Sequence, residues 1–186
     1  IGLRVNPEYS EVETALYNPA VPGSRLGVLA HQLPEDLPEA IEGLHVHTLC
    51  ESSAKATEQL ILALENKFGT YLTSLKWINL GGGHLMTRNG YAVDYLVQVL
   101  SAFKQRHPHL EVIMEPGSAI AWETGELVST VLDIVESGGI QTAIVDVSFT
   151  AHMPDTLEMP YRPSILGAVD AVEDRPSYRI GGVSCL

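Results

Sequence analysis

Leu60, Ile61, Leu64 and Phe68 recur at intervals of three and four, which places them on one face of a helix. That pattern predicts a helix from about Ala54 to Phe68, with Gly69 after it as the stop signal. A second stripe, Leu96, Val99, Leu100 and Phe103, predicts another helix over Tyr91 to Arg106, ended by His107-Pro108. Between them lie short apolar runs of strand length. Ile1 to Val5 stops at Asn6-Pro7, Gly43 to Thr48 reads GLHVHT, Leu75 to Leu80 runs into glycines, and Glu111 to Met114 closes at Glu115-Pro116-Gly117. Strands alternating with helices predict a parallel sheet or (β/α) barrel, an α/β fold.

The spacing sharpens the prediction. From His47 to Gly81 is 34 positions, and from Gly81 to Glu115 is again 34. Each interval matches one βα unit, so His47, the Gly81 to Gly83 loop and Glu115 fall at the C-terminal ends of successive strands. In such barrels that rim carries the chemistry. After Glu123 the pattern changes. Leu127 to Glu136 and Gln141 to Ser148 are β-rich and joined by Ser137-Gly138-Gly139-Ile140, a hairpin signal. Shorter β-type runs follow at Ser164 to Val169 and Tyr178 to Val183, with no long helix between them. The expected organisation is a partial barrel over 1–123 and part of an antiparallel β domain over 124–186.

Composition removes several alternatives. The chain has 186 residues, 45% of them hydrophobic and 18% charged, enough to build a core. No apolar run reaches the length of a membrane span, and no basic-then-apolar leader opens the chain. The opening IGLRVNP reads as a strand already in mid-fold, which suggests truncation. Net charge is −12, which argues against non-specific nucleic-acid binding and favours a cationic substrate, although ordinary solubility explains it as well. Cys50 and Cys185 make no disulfide framework, and there is no CxxC or HExxH, so no metal site is predicted.

Three glycines in a row, Gly81, Gly82 and Gly83, give up side chains that could pack and cost backbone entropy. Bare N–H groups after a strand suit an anion such as a phosphate, but the lysine and hydroxyl of a nucleotide P-loop are missing. A tight turn is the simpler alternative. Period-two alternation puts His45 and His47 on one face; a strand histidine serves either a core hydrogen bond or a site. Glu115 is either a turn residue or an acid for a protonated ring nitrogen. A flat ring to stack, a phosphate to cradle and a ring nitrogen to pair are together the requirements of pyridoxal phosphate.

GLHVHTLCE, NLGGGH, EPGSAI and GGVSCL, in that order and spacing, resemble the fold-type III pyridoxal-phosphate decarboxylases, relatives of ornithine and diaminopimelate decarboxylases. HVHTLCES, AHMPDTLEMPY and GGVSCL are most similar to the carboxynorspermidine (carboxyspermidine) decarboxylase branch, which makes norspermidine or spermidine. The resemblance implies the C-terminal part of an alanine racemase-like (β/α)8 TIM-type barrel followed by part of the β domain, and a cytoplasmic homodimer with shared active sites. It implies pyridoxal 5'-phosphate as cofactor and a carboxylated polyamine as substrate. By the same resemblance His47 stacks on the pyridine ring, Gly81, Gly82 and Gly83 hold the phosphate, and Glu115 pairs with the ring nitrogen. Cys50 stands where relatives place a serine near the phosphate. Cys185 matches the cysteine that reaches into the partner subunit's site and helps reprotonate the substrate. Asp155, with Glu158 as the alternative, is the candidate for gripping a substrate amine; a solvated loop is the competing reading. Arg4 resembles a supporting arginine below the cofactor, and Arg25 is as consistent with a surface charge.

Two departures follow. Ser118 stands where many relatives carry a phosphate-binding arginine. The chemistry also needs a lysine to hold the cofactor, and Lys55, Lys67, Lys76 and Lys104 do not fit: three lie on predicted helices and Lys76 begins a strand at the wrong end. The expectation is an internal fragment whose Schiff-base lysine lies upstream. The alternatives are diaminopimelate or another basic amino-acid decarboxylase, and a non-catalytic decarboxylase-like regulator.

Overall fold

The computed structural model describes residues 1–159, 161–172 and 175–185, so Pro160 of AHMPDTLEMPY and Leu186 of GGVSCL lie outside the described residues. Two compact units are present, 1–124 and 125–186. The first is built on four parallel strands, β1 (Gly2–Arg4), β2 (Gly43–His45), β3 (Trp77–Asn79) and β4 (Glu111–Ile113), in the spatial order β1-β2-β3-β4. Sequential parallel order is that of a barrel wall. Register pairs Gly43 with Trp77 and Trp77 with Glu111. The 34-residue interval in the sequence is therefore the register of the sheet.

Helix α1 (Ala54–Leu72) follows β2, and α2 (Val93–Arg106) follows β3. Ser53 caps α1, its side chain accepting from the Ala56 N–H. The helix continues through Gly69, where a stop was expected. Gly69 has open space around its Cα, and the extra turn buries Leu72 completely. Burying a leucine stabilises by about 1.5–3 kcal/mol, more than the roughly 1 kcal/mol a mid-helix glycine costs. Helix α2 starts two residues later than expected, because Tyr91 closes a turn onto the Arg88 carbonyl.

One face of the sheet carries Leu44, Val46, Ile78 and Leu80, packed with Leu60, Ile61, Leu64 and Phe68 of α1 and Phe103 of α2. Alternation sends Arg4, His45 and Asn79 to the other face, where register aligns them in one row. One layer towards the strand starts, the Trp77 ring covers Gly2 and Gly43, and a Cβ at either glycine would overlap it. The strands are shorter than the apolar runs predict. Single bonds nevertheless continue the ladders towards the rim: Val5 N to His45 O (2.8 Å), Val46 N to Asn79 O (2.8 Å) and Leu80 N to Ile113 O (2.9 Å). Between Asn6 and Glu42 the chain has two short 3-10 turns and no helix. After β4, α3 (Ser118–Ala121) is a single turn.

The second unit contains the hairpin β5 (Val131–Ser137) and β6 (Ile140–Val145), which is antiparallel as expected. Leu127 to Thr130 stays outside β5. Strand β7 (Arg179–Gly181) joins parallel to β6, an arrangement its long connection permits. Two four-residue helices, α4 (Phe149–His152) and α5 (Asp155–Glu158), occupy that connection. Ser164 to Val169, expected as a β-type run, is instead a turn closed from Ala168 N to Ile165 O (3.0 Å), with Gly167 at φ +81°. Its apolar side chains have no face to cover: Leu166 is 92% exposed. Among the described residues no helix is long and apolar enough to cross a membrane.

Candidate active site

At the rim of the first unit, the segments after β2, β3 and β4 meet. His47 follows β2, and its carbonyl accepts from the Arg4 guanidinium at 3.2 Å. After β3, the Asn79 Oδ1 accepts from the Gly81 N–H at 2.9 Å, a side-chain turn that opens the glycine loop. After β4, the Glu115 N–H donates to the Gly81 carbonyl at 2.8 Å. The glycines let these segments touch. A Cβ on Gly81 would stand 2.5 Å from the Val46 carbonyl, and one on Gly82 would stand 2.8 Å from the Glu115 carbonyl. Both are closer than any side chain tolerates. The triplet is thus required by backbone approach, and Gly82 directs its N–H towards the rim with only a long contact, 3.5 Å, to His47 Nδ1.

Glu115 and the two histidines converge. Glu115 Oε1 accepts from Asn79 Nδ2 at 2.7 Å, while Oε2 lies 3.6 Å from His45 Nε2 and 3.9 Å from His47 Nδ1. Glu115 is 47% exposed and His47 42%, so both stand open to a ligand; His45 is 24% exposed. Burial, with help from Arg4 and His45, pushes the His47 imidazole below its ordinary value against the opposing pull of Glu115. A neutral imidazole can lie against a positively charged ring without repulsion. The donor atoms of His45, His47 and Glu115 lie within 4.8 Å of one another, which would also admit a cation. Asn79 on one carboxylate oxygen and the Gly82 N–H on His47 favour a hydrogen-bonded site instead.

The loop's far end is pinned by His84, which is 1% exposed. Its Nε2 lies 3.2 Å from the Leu80 carbonyl, an acceptor only, so Nε2 carries the proton and Nδ1 accepts from Thr57 Oγ1 at 3.1 Å. Burial holds this imidazole below its ordinary value of 6.5 and keeps it neutral. The unfolded chain takes up a proton below pH 6.5 that the folded chain refuses. Stability is therefore complete above that pH and is lost as pH falls towards the depressed folded value, by at most ~1.4 kcal/mol per pH unit. The expected outcome in the complete protein is a drop in urea midpoint between pH 7 and 5 that shrinks in His84→Gln. Equal drops in both proteins would refute this role.

The other sequence candidates stand elsewhere. Cys50 is exposed on the loop after His47; its N–H donates to Ser52 Oγ at 3.3 Å, and Ser52 N donates to the Gly83 carbonyl at 2.7 Å. Ser118 begins α3 with its side chain exposed, and Arg25 is exposed on a loop. Lys67 pairs with Glu8, Lys76 with Glu42, and Lys104 donates to the Pro108 and Leu110 carbonyls. Lys55 sits in the first turn of α1. In the second unit Asp155 and Glu158 are the first and last residues of α5, both exposed. Cys185 is exposed beyond β7, on a segment fixed by Val183 N to Val147 O (2.9 Å) and Ser148 Oγ to Ser184 Oγ (3.2 Å). Asn79 and His84 were missed, and His45 was noticed without being chosen. Their signal was positional: Asn79 and His45 lie two residues before Gly81 and His47 on the same face.

No family model matches the chain. It is 57% identical over 185 residues, 100% of its length, to a carboxyaminopropylagmatine decarboxylase from Synechocystis, covering 48% of that protein. It is 41% identical over 197 aligned positions to a carboxynorspermidine/carboxyspermidine decarboxylase from Campylobacter jejuni, covering 100% of this chain and 51% of that one. The crystal structure of carboxynorspermidine decarboxylase complexed with norspermidine, also from C. jejuni, superposes with a TM-score of 0.83 at 39% identity, again over 100% of this chain and 50% of the other. The chain spans about half the length of these relatives. Together with the parallel sheet and the rim it carries, these similarities make the chain, over its whole length, similar in sequence and fold to about half of the carboxynorspermidine/carboxyspermidine and carboxyaminopropylagmatine decarboxylases.

Proposed function

We propose that the complete protein decarboxylates a carboxylated polyamine, of the kind exemplified by carboxynorspermidine, carboxyspermidine or carboxyaminopropylagmatine. The observation that carries this reading is the meeting of His47, the Gly81 to Gly83 loop and Glu115 at one rim. These residues fit pyridoxal 5'-phosphate: the loop offers backbone N–H to a phosphate, neutral His47 offers a face to the ring, and the Glu115 carboxylate suits a protonated ring nitrogen. Bound there, the cofactor would supply a sink for the electron pair left behind by departing carbon dioxide.

The chain's own residues do the rest. Glu115 would hold a proton on the ring nitrogen of the bound cofactor, Cys50 would serve its phosphate, and Arg4 braces His47 through its carbonyl. Cys185 returns a proton to the reacting carbon, in the site of a second subunit of a homodimer. Asp155, with Glu158, grips a distal ammonium group of the substrate. Net charge of −12 draws a polycation towards such a site. The proposal includes a barrel domain up to about residue 123, a β domain from 124, and a cytoplasmic setting.

The test is made on the complete protein, purified with its cofactor and followed by visible absorption and carbon dioxide release. Turnover of at least one of the three carboxylated polyamines, well above that of diaminopimelate, is expected. Failure to take up the cofactor, or preference for diaminopimelate, would overturn the proposal.

A further inference from the structure

Among the described residues His45 Nε2 is buried and has no hydrogen-bond partner, although it is 3.6 Å from a carboxylate oxygen. A buried donor left unmatched is costly, and native sites usually give it a use. Its ring stands nearly perpendicular to that of His47, at 81° and 6.1 Å between centroids, so it does not form part of a stack. His47 Nδ1 stands farther from Oε2, at 3.9 Å, with the Gly82 N–H as a long neighbour at 3.5 Å. His45 Nε2, at 3.6 Å, is the nearer ring nitrogen to Oε2, as Asn79 serves Oε1. Sites of this kind often show such contacts slightly long before they are loaded. A carboxylate has about four lone-pair positions, enough for Asn79, His45 and a ring N–H at once.

We propose that His45 is a positioning residue, clamping the Glu115 carboxylate against Asn79 so that its remaining lone pair points at the cofactor's ring nitrogen. This rests on the function proposed above. His45 Nε2 is placed to donate to Oε2 while Asn79 Nδ2 holds Oε1, so both carboxylate oxygens are fixed from one face of the sheet. The ionisable groups that face this carboxylate are His45 and His47, both from the segment of β2; Arg4 of β1 in turn acts on His47, and His47 on His84.

Two measurements test it. In the cofactor-free complete protein, the Glu115 carboxyl is titrated by 13C NMR. Its midpoint should be higher in His45→Leu than in wild type, because a donor to the ionised form has been removed. In the loaded enzyme, His45→Leu should lower kcat roughly tenfold or more with KM little changed. The acidic limb of the kcat profile should move to higher pH, and His45→Gln, which retains an N–H donor, should restore most of the rate. An unchanged Glu115 midpoint in His45→Leu would overturn the clamp whatever the rate does. A shifted midpoint in a protein that takes up no cofactor would uphold the clamp and refute the proposed function.

Discussion

Glu115→Gln in the complete enzyme is expected to leave the cofactor bound and to lower kcat by on the order of 10²–10³, roughly 3–4 kcal/mol of transition-state stabilisation. The side chain keeps its shape but reverses the sense of its hydrogen bond. A carboxylate accepts a proton-bearing ring nitrogen and stabilises its charge; an amide presents its own N–H and favours the unprotonated ring. Asn79 reinforces the distinction. Its Nδ2 donates to Oε1 at 2.7 Å while its Oδ1 accepts from the Gly81 N–H, so it cannot flip to suit a glutamine without releasing the glycine loop. Loss should therefore fall on kcat more than on KM. Glu115→Asp, which keeps the charge but draws it back by one methylene, should lose less. A Glu115→Gln enzyme within a few-fold of wild type would mean that the carboxylate does not face the ring nitrogen.

The order of the sheet was readable before any coordinates because the repeat of the chain and the register of its strands are the same quantity. Gly43, Trp77 and Glu111 stand side by side for the reason that His47, Gly81 and Glu115 do: the units from β2 to β3 and from β3 to β4 are each 34 residues long. What escaped the sequence depends on partners across strands or loops. Asn79 looks like an ordinary polar strand residue until Glu115 is brought beside it. His84 looks like another loop histidine until Thr57 of α1 closes on it. Helix α1 runs past its expected stop because a buried Leu72 outweighs a glycine, a balance that local propensity does not contain. The second unit was harder to read. Helices α4 and α5 have four residues each, too few to show a period, and the apolar run at Ser164 to Val169 has no neighbouring strand among the described residues to make it one.

Gly83→Ala is expected to do more damage than any other single methyl added to this loop, and Gly90→Ala supplies the control. Both glycines have positive φ, +85° and +79°, so alanine at either bears a conformational cost of about 1–2 kcal/mol. Their surroundings differ. Nothing lies within 4 Å of a Cβ on Gly90, whereas one on Gly83 would overlap the Leu49 carbonyl and stand 2.7 Å from the Cys50 nitrogen. These are backbone atoms and cannot rotate away as a side chain tip would. The Leu49–Cys50 peptide would have to retreat, taking with it the bond from Ser52 N to the Gly83 carbonyl at 2.7 Å that ties the two loops together. Overpacking of this kind adds about 1–3 kcal/mol. Unfolding of the complete protein in urea should thus show a loss of roughly 2–5 kcal/mol for Gly83→Ala against about 1–2 for Gly90→Ala. Under the proposed function, cofactor affinity should follow the first and not the second, because Gly83, unlike Gly90, lies against the backbone of the Cys50 loop. Equal losses at the two positions, with affinity unchanged in both, would show that the triplet serves as a turn and leaves the cradle to other residues.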